Sequence, residues 1–199
     1  MDEDLIPTRQ SLLSRLKDWE DWASWQDFFH TYWKLIYKTA REAGLEANEA
    51  EEVVQETLIS ISKAIRSFEY DPEKGRFKAW LRRNTIWRIG DHLRAKQRDR
   101  SLAGRISSQW PNADSIGSNW DSDWEENLAE AALERVRRQV PAKQFQLFDL
   151  ATVKQWPTDK IAKTFRVSAG YVYLVKHRIR ARLRAELKKL RAADYRPAH

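Results

Sequence analysis

The sequence predicts an all-α protein of two small helical domains joined by a flexible linker, and three observations carry that prediction. Glycine and proline number only six each in 199 residues, and β-branched runs are scarce. Apolar residues recur at three- and four-residue steps over most of the chain, the signature of amphipathic helices. That rhythm stops over residues 101–124, SLAGRISSQWPNADSIGSNWDSDW, where Ser, Asn, Gly and Asp collect and a linker is expected. The domains are therefore expected at 1–100 and 125–192, with a short tail at 193–199.

Thr8 can cap a first short helix that carries Leu12, Leu13 and Leu16. From about Ala23 a longer helix aligns Trp25, Phe28, Phe29, Tyr32, Trp33 and Ile36 on one face. Gly44 is its natural stop, because glycine reaches the left-handed conformation without steric cost. Asn48 and Glu51 have the spacing of a capping box. The helix they open runs to about Phe68 and turns Val54, Leu58, Ile61, Ile65 and Phe68 inward. Asp-Pro and Gly make Glu69–Arg76 a turn. The next helix starts near Phe77, faces Trp80, Leu81, Ile89 and Leu93 inward, and ends in the basic run Arg94–Arg100.

Beyond the linker a helix runs from about Glu125 to Gln139 and breaks at Pro141; the helix after it carries Phe145, Phe148 and Ala151. Pro157 and Thr158 open a short helix to Phe165. After a turn at Arg166–Ser168, a last helix reaches about Ala192. The ten tryptophans are read for the most part as bulky helix-packing residues.

Cysteine is absent, which excludes disulfides and thiol chemistry. The four histidines (His30, His92, His177, His199) lack zinc-like spacing, so neither a metal nor a cofactor is expected. No stretch approaches the roughly 18 apolar residues of a membrane span. The N-terminus, MDEDLIP, is unlike a signal peptide, and a cytoplasmic protein without membrane insertion is expected. Net charge is +7 but is laid out in blocks. Residues 71–105 hold 11 basic and 4 acidic side chains and residues 135–199 hold 17 and 4. Residues 1–70 hold 8 and 14, and residues 106–134 hold 7 acidic side chains with no basic one. Such alternation suggests two separate nucleic-acid faces and acidic surfaces with another task.

The sharpest local signal is PTDKIAKTFRVSAGYVYLVKHRIRARL, Pro157–Leu183. Ile161, Ala162 and Phe165 on the short helix, Val167 in the turn, and Val172, Val175, Ile179 and Leu183 on the long one have helix-turn-helix spacing. Ser168 stands where an N-cap is wanted, which puts Ala169, Gly170 and Tyr171 in the first turn. Tyr171, Tyr173, Lys176, His177, Arg178 and Arg180 are then offered on the outer face. Arginine and lysine neutralise phosphates, and arginine also pairs bidentately with guanine. The other reading of the motif is an αα-hairpin with a solvated basic face. The turn position often occupied by glycine is Arg166, which permits a different turn.

A second signal is EAEEVVQETL (Glu49–Leu58), followed by FEYDPEKGRFKAWLRRNTIWRIGDHLR (Phe68–Arg94). These residues resemble the second conserved region of extracytoplasmic-function sigma factors, a subfamily of the sigma-70 family. There an acidic, Gln-containing helix precedes an Asp-Pro-x-x-Gly turn and an aromatic-x-x-Trp-Leu helix ending in Asp-x-x-Arg. Phe77, Trp80, Leu81, Asp91 and Arg94 fall into that pattern, and Lys176 and Arg178 resemble the Lys-x-Arg of the family's fourth region. The resemblance covers about residues 22–100 and 125–190.

The resemblance implies a non-catalytic RNA polymerase sigma factor that directs promoter-specific transcription initiation. Its partners would be core polymerase (the clamp helices and flap), promoter DNA, and, as a class the family admits, an anti-sigma factor. It assigns core polymerase binding to Glu51, Glu52, Gln55 and Glu56. It assigns single-stranded −10 promoter binding to Arg83, Trp87, Arg88, Arg94, Lys96 and Arg98. It assigns duplex −35 binding to Ser168, Ala169, Gly170, Tyr171, Tyr173, Lys176, His177 and Arg178. Trp87 stands where the family often has asparagine, and Asn84 where it is usually apolar; Trp87 suits either base stacking or the core. In the linker, Asp114, Asp121, Asp123, Glu125 and Glu126 suit either mimicry of nucleic acid or plain solvation. The alternative function is a helix-turn-helix regulator that works without polymerase. An enzyme has little support, since no phosphate-cradling glycine loop, Ser-His-Asp signature or nuclease-like carboxylate cluster occurs.

Overall fold

The computed structural model describes residues 12–13, 15–66, 77–102 and 116–191, with backbone alone for 99–102. The described residues form seven helices and no strand: α1 (Trp22–Glu42), α2 (Ala47–Ala64), α3 (Phe77–Leu102), α4 (Trp120–Gln139), α5 (Ala142–Thr152), α6 (Thr158–Phe165) and α7 (Ala169–Arg191). The protein is all-α. It divides into two compact units, the first ending at Asn127 and the second spanning Leu128–Arg191. Thr8, Phe68, the Glu69–Arg76 turn and Asp114 lie outside the described residues.

In the first unit α1 is capped by Asp21, whose carboxylate accepts from the backbone N–H of Ser24 (3.1 Å) and from its hydroxyl (2.9 Å). Arg15 clasps the same carboxylate with Nε at 2.7 Å and a second guanidinium nitrogen at 3.1 Å. The Arg15 hydrogen bond, followed by that of the Ser24 backbone N–H, holds the Asp21 carboxyl at about 2. Its cap is therefore fully present above the ordinary carboxylate range and is lost as pH falls through about 2. The buried face of α1 consists of Phe28, Tyr32, Leu35, Ile36 and Ala40. Phe29 and Trp33, expected on that face, lie off it and stack on each other at 6.0 Å. At 100° per residue, the stripe through 28, 32, 35 and 36 leaves 29 and 33 to one side.

Gly44 ends α1 at φ +88°. Its N–H donates to the Arg41 carbonyl (3.0 Å) and that of Leu45 to the Ala40 carbonyl (3.2 Å), a Schellman motif sealed by burial of Leu45. That seal sets where α2 begins. The Glu46 N–H donates to Glu49 Oε2 (2.6 Å), so the cap lies two residues before the expected Asn48–Glu51 box. Ala50, Val53, Val54, Ile61 and Ile65 are buried, while Leu58 is half-buried.

Helix α3 buries every fourth residue, Phe77, Leu81, Thr85, Ile89 and Leu93, and leaves Trp80 half-buried. The Thr85 hydroxyl is satisfied by the Leu81 carbonyl (3.0 Å). Helix α4 starts inside the stretch expected to be linker. Ile116, Trp120 and Trp124 are buried in the first unit. The Trp124 ring lies 5.4 Å from Tyr32, 6.4 Å from Phe77 and 6.2 Å from Trp120. Lys38 bridges Asp123 (2.8 Å) and Glu126 (2.8 Å), Lys78 meets Asp121 (2.7 Å), and Asn127 Nδ2 donates to the Thr31 carbonyl (2.7 Å). Hydrogen bonding to Lys78 lowers the Asp121 pKa, and hydrogen bonding to Lys38 lowers that of Glu126. Asp121, Asp123 and Glu126 are thus engaged within this unit. Periodicity was lost to the eye because the two tryptophans sit among Asp and Ser.

The second unit is built around Val136, Val140, Leu147, Phe148, Ile161, Val172, Val175 and Ile179. Arg166 closes α6 in the left-handed conformation (φ 51°, ψ 52°), and the Val167 N–H donates back to the Ala162 carbonyl (3.0 Å). The turn is therefore the one glycine would make, adopted by arginine at a steric cost of about 1–2 kcal/mol. Ser168 Oγ accepts from the Tyr171 N–H at 3.1 Å, the expected N-cap of α7.

Three stability measurements follow from this packing, each by urea unfolding. Gly44→Ala adds a methyl with nothing within 4 Å. Only the left-handed backbone is penalised, so it should cost about 1–2 kcal/mol. Arg166→Gly should act in the opposite sense and raise stability by up to about 1 kcal/mol. Trp124→Ala removes a fully buried ring and should cost about 3–5 kcal/mol.

Candidate protein-docking and nucleic-acid surfaces

Three surfaces carry the residues singled out by sequence. On α2, Glu51, Glu52 and Gln55 are exposed and fall within about a third of a turn of one another. Glu56 is turned away from them. Its Oε2 lies 3.2 Å from His92 Nε2 and 3.9 Å from an Arg88 guanidinium nitrogen, both on α3. Glu49 similarly receives Lys96 Nζ at 2.7 Å. Burial disfavours the Glu49 charge, but the Lys96 and Glu46 N–H hydrogen bonds outweigh it and lower its pKa. The acids of α2 therefore divide into an outward set and a set that clamps α3.

Sequence reasoning missed the apolar continuation of the outward face. Trp19, Trp22, Trp25, Gln26, Phe29, Leu58, Ile59 and Ser62 line an open groove of about 360 Å³. Trp22 is 74% exposed, and Trp19 and Ile59 are more than half exposed. Ile59 and Ser62 lie on the same side of α2 as Glu51, Glu52 and Gln55. The signal available in the sequence was the three-residue spacing of Trp19, Trp22 and Trp25, which the α1 face only partly absorbs.

The second surface is the outer side of α3. Burial of Phe77, Leu81, Thr85, Ile89 and Leu93 turns Arg83, Trp87, Arg94 and Arg98 to the opposite side, all four exposed. Trp87 is 54% exposed, which removes it from the core. Arg94 pairs with Asp91 one turn back (2.6 Å). The structure brings together four of the six expected strand-binding residues; Arg88 and Lys96 are instead half-buried and drawn toward α2. Asn84 donates Nδ2 to the Trp80 carbonyl (2.8 Å), so its amide serves the helix backbone.

The third surface is the exposed side of α7. Gly170, Tyr173, Leu174, His177 and Arg178 form a solvent-facing band beside the exposed Ser168. Lys176 borders it with Nζ 5.7 Å over the Tyr173 ring. Ala169 is half-buried. Tyr171, expected on the outer face, packs against the core, and its hydroxyl accepts from Gln144 Nε2 (3.4 Å). Leu174, 42% exposed in the middle of the band, was not anticipated. An apolar side chain there can meet a thymine methyl in a major groove.

Among the described residues no group of three or more His, Asp or Glu is placed to hold a metal, and no helix is long and apolar enough to cross a membrane. The family described as sigma-70 region 2 matches residues 28–99, which run from the buried Phe28 through the outer stripe of α3. A curated relative, the ECF RNA polymerase sigma factor SigE of Mycolicibacterium smegmatis, is 23% identical over 188 residues, spanning 92% of this chain and 69% of its own length. Residues 28–99 thus match sigma-70 region 2, and the chain along most of its length is similar to an extracytoplasmic-function sigma factor.

Proposed function

We propose that the protein is an RNA polymerase sigma factor that reads −10 promoter DNA as single strand on α3 and −35 DNA as duplex on α7. The observation that carries this reading is the exposed stripe Arg83, Trp87, Arg94 and Arg98, inside the segment that matches sigma-70 region 2. Cations tracking a backbone beside an exposed indole are the ingredients of single-strand binding, in which phosphates provide affinity and a base stacks on the ring. Arg88 and Lys96 support that strand electrostatically from behind the stripe. Sigma region 2 would then occupy about residues 1–100 and extend its packing to Asn127, with region 4 in the second unit.

Core polymerase would dock on α2 at Glu51, Glu52 and Gln55. The neighbouring tryptophan groove adds apolar area to an acidic face that could otherwise offer only salt-sensitive pairing. A partner helix with basic residues beside apolar ones fits that face. Glu56 takes a lesser part, since its carboxylate is turned to α3. On α7, the first two turns from Ser168 to Arg178 present the groups for base edges, and Arg180, Arg182 and Arg184 contribute charge.

Two experiments check these assignments. Reversing charge at Glu51 and Glu52 should abolish holoenzyme formation while leaving the circular dichroism melt within about 0.5 kcal/mol of wild type, because exposed helix charges contribute little to stability. Unchanged core affinity would favour a regulator acting without polymerase. In holoenzyme, Arg178→Ala should cost about 1–3 kcal/mol and relax preference at one −35 position. Arg184→Ala should instead weaken all sequences evenly and lower the salt dependence. Equal losses on cognate and scrambled −35 sequences for both variants would remove α7 as a reading element.

A further inference from the structure

We propose that Glu56 is a positioning residue for single-strand capture, holding Arg88 against one face of the Trp87 indole so that the other face stands ready for an unpaired base. The inference rests on the reading of α3 as the strand-binding helix. Trp87 has no place in the core and stands on the outer stripe of α3. A free indole there would sample several rotamers and lose that freedom on binding.

It is not free. The Arg88 guanidinium carbon lies 4.6 Å from the Trp87 ring centroid, in cation–π distance. Arg88 is in turn not a free surface arginine: its side chain is only 26% exposed, and one guanidinium nitrogen lies 3.9 Å from Glu56 Oε2. The same oxygen is 3.2 Å from His92 Nε2, one turn further along α3, which fixes the carboxylate from a second side. The chain of contacts runs from α2 through Glu56 and Arg88 to Trp87. It places the guanidinium over the ring and leaves Trp87 54% exposed. An arginine is required for it, since only a planar guanidinium can lie flat on an indole while its edge meets a carboxylate.

The relay also explains why Glu56 differs from its neighbours on α2. Glu51 and Glu52 point to solvent and are suited to a protein partner, whereas Glu56 sits one position round the helix and faces α3. Its effect on DNA would pass through Trp87, so removing both should do no more than removing Trp87.

The test uses the full chain and two fluorescein-labelled single strands of equal length, one of mixed-sequence DNA and one with abasic sites throughout. Binding is followed by anisotropy at low salt. Wild type should prefer the base-bearing strand by about tenfold or more, the scale of one stacked base. Trp87→Ala should remove that preference and leave abasic binding unchanged, and Trp87→Phe should restore most of it. Glu56→Gln should lower binding to the base-bearing strand alone, by about threefold. Arg88→Lys, which keeps the charge but not the plane, should match Glu56→Gln and guards against a folding defect specific to one variant. The double variant Glu56→Gln/Trp87→Ala should bind like Trp87→Ala. Losses that multiply in the double variant, or a Glu56→Gln loss equal on both strands, would overturn the positioning role. Tight binding without any preference for bases would overturn the platform while leaving a phosphate-tracking α3 intact. Failure of wild type to bind either strand would instead overturn the strand reading itself.

Discussion

Burial of Trp124 against Tyr32 and Phe77 is the interaction on which the first unit depends. The ring draws the first turns of α4 onto α1 and α3, and Trp120 fills the space beside it. Around this apolar contact, Lys38, Lys78 and Asn127 fix the register of α4. The lysine pairs contribute specificity more than energy, because Lys38 is substantially exposed and water screens its charge. The aromatic area supplies the stability. Phe77 is also the first residue of α3, so the same cluster determines how α3 is rolled. With Phe77, Leu81 and Leu93 committed to the core, the arginines and Trp87 have only the outer side left to them.

Charge on α2 and α3 is divided by helical angle in a way composition cannot reveal. Glu49 and Glu56 face α3 and meet Lys96, Arg88 and His92, whereas Glu51 and Glu52 meet no described cation and face solvent. Each helix thus carries two populations of one charge sign, one that holds the pair together and one available to partners. The proposed polymerase and DNA surfaces lie on two helices clamped by ion pairs.

In the second unit the helix-turn-helix is made despite a local penalty. Arg166 takes a left-handed backbone that glycine would adopt freely. The turn is nevertheless kept, because Ile161 before it and Val172 and Val175 after it must enter one core. Several buried aliphatic side chains outweigh a single strained residue.

The sequence by itself determined the all-α class, the helix-turn-helix with its Ser168 cap, the Gly44 stop and the basic and acidic blocks. Each is local, set by residues within a few positions of one another along the chain, and side-chain periodicity reports it directly. Only the tertiary structure decided the fate of residues 116–127, whose tryptophans look like linker until Tyr32 and Phe77, far away in sequence, provide a place for them. It alone turned Glu56 and Arg88 toward each other, packed Tyr171 against the core and gathered Trp19, Trp22, Phe29 and Ile59 into one groove. A helix pattern states which residues share a face, but which face is covered, and by what, depends on partners brought together only when the chain closes on itself.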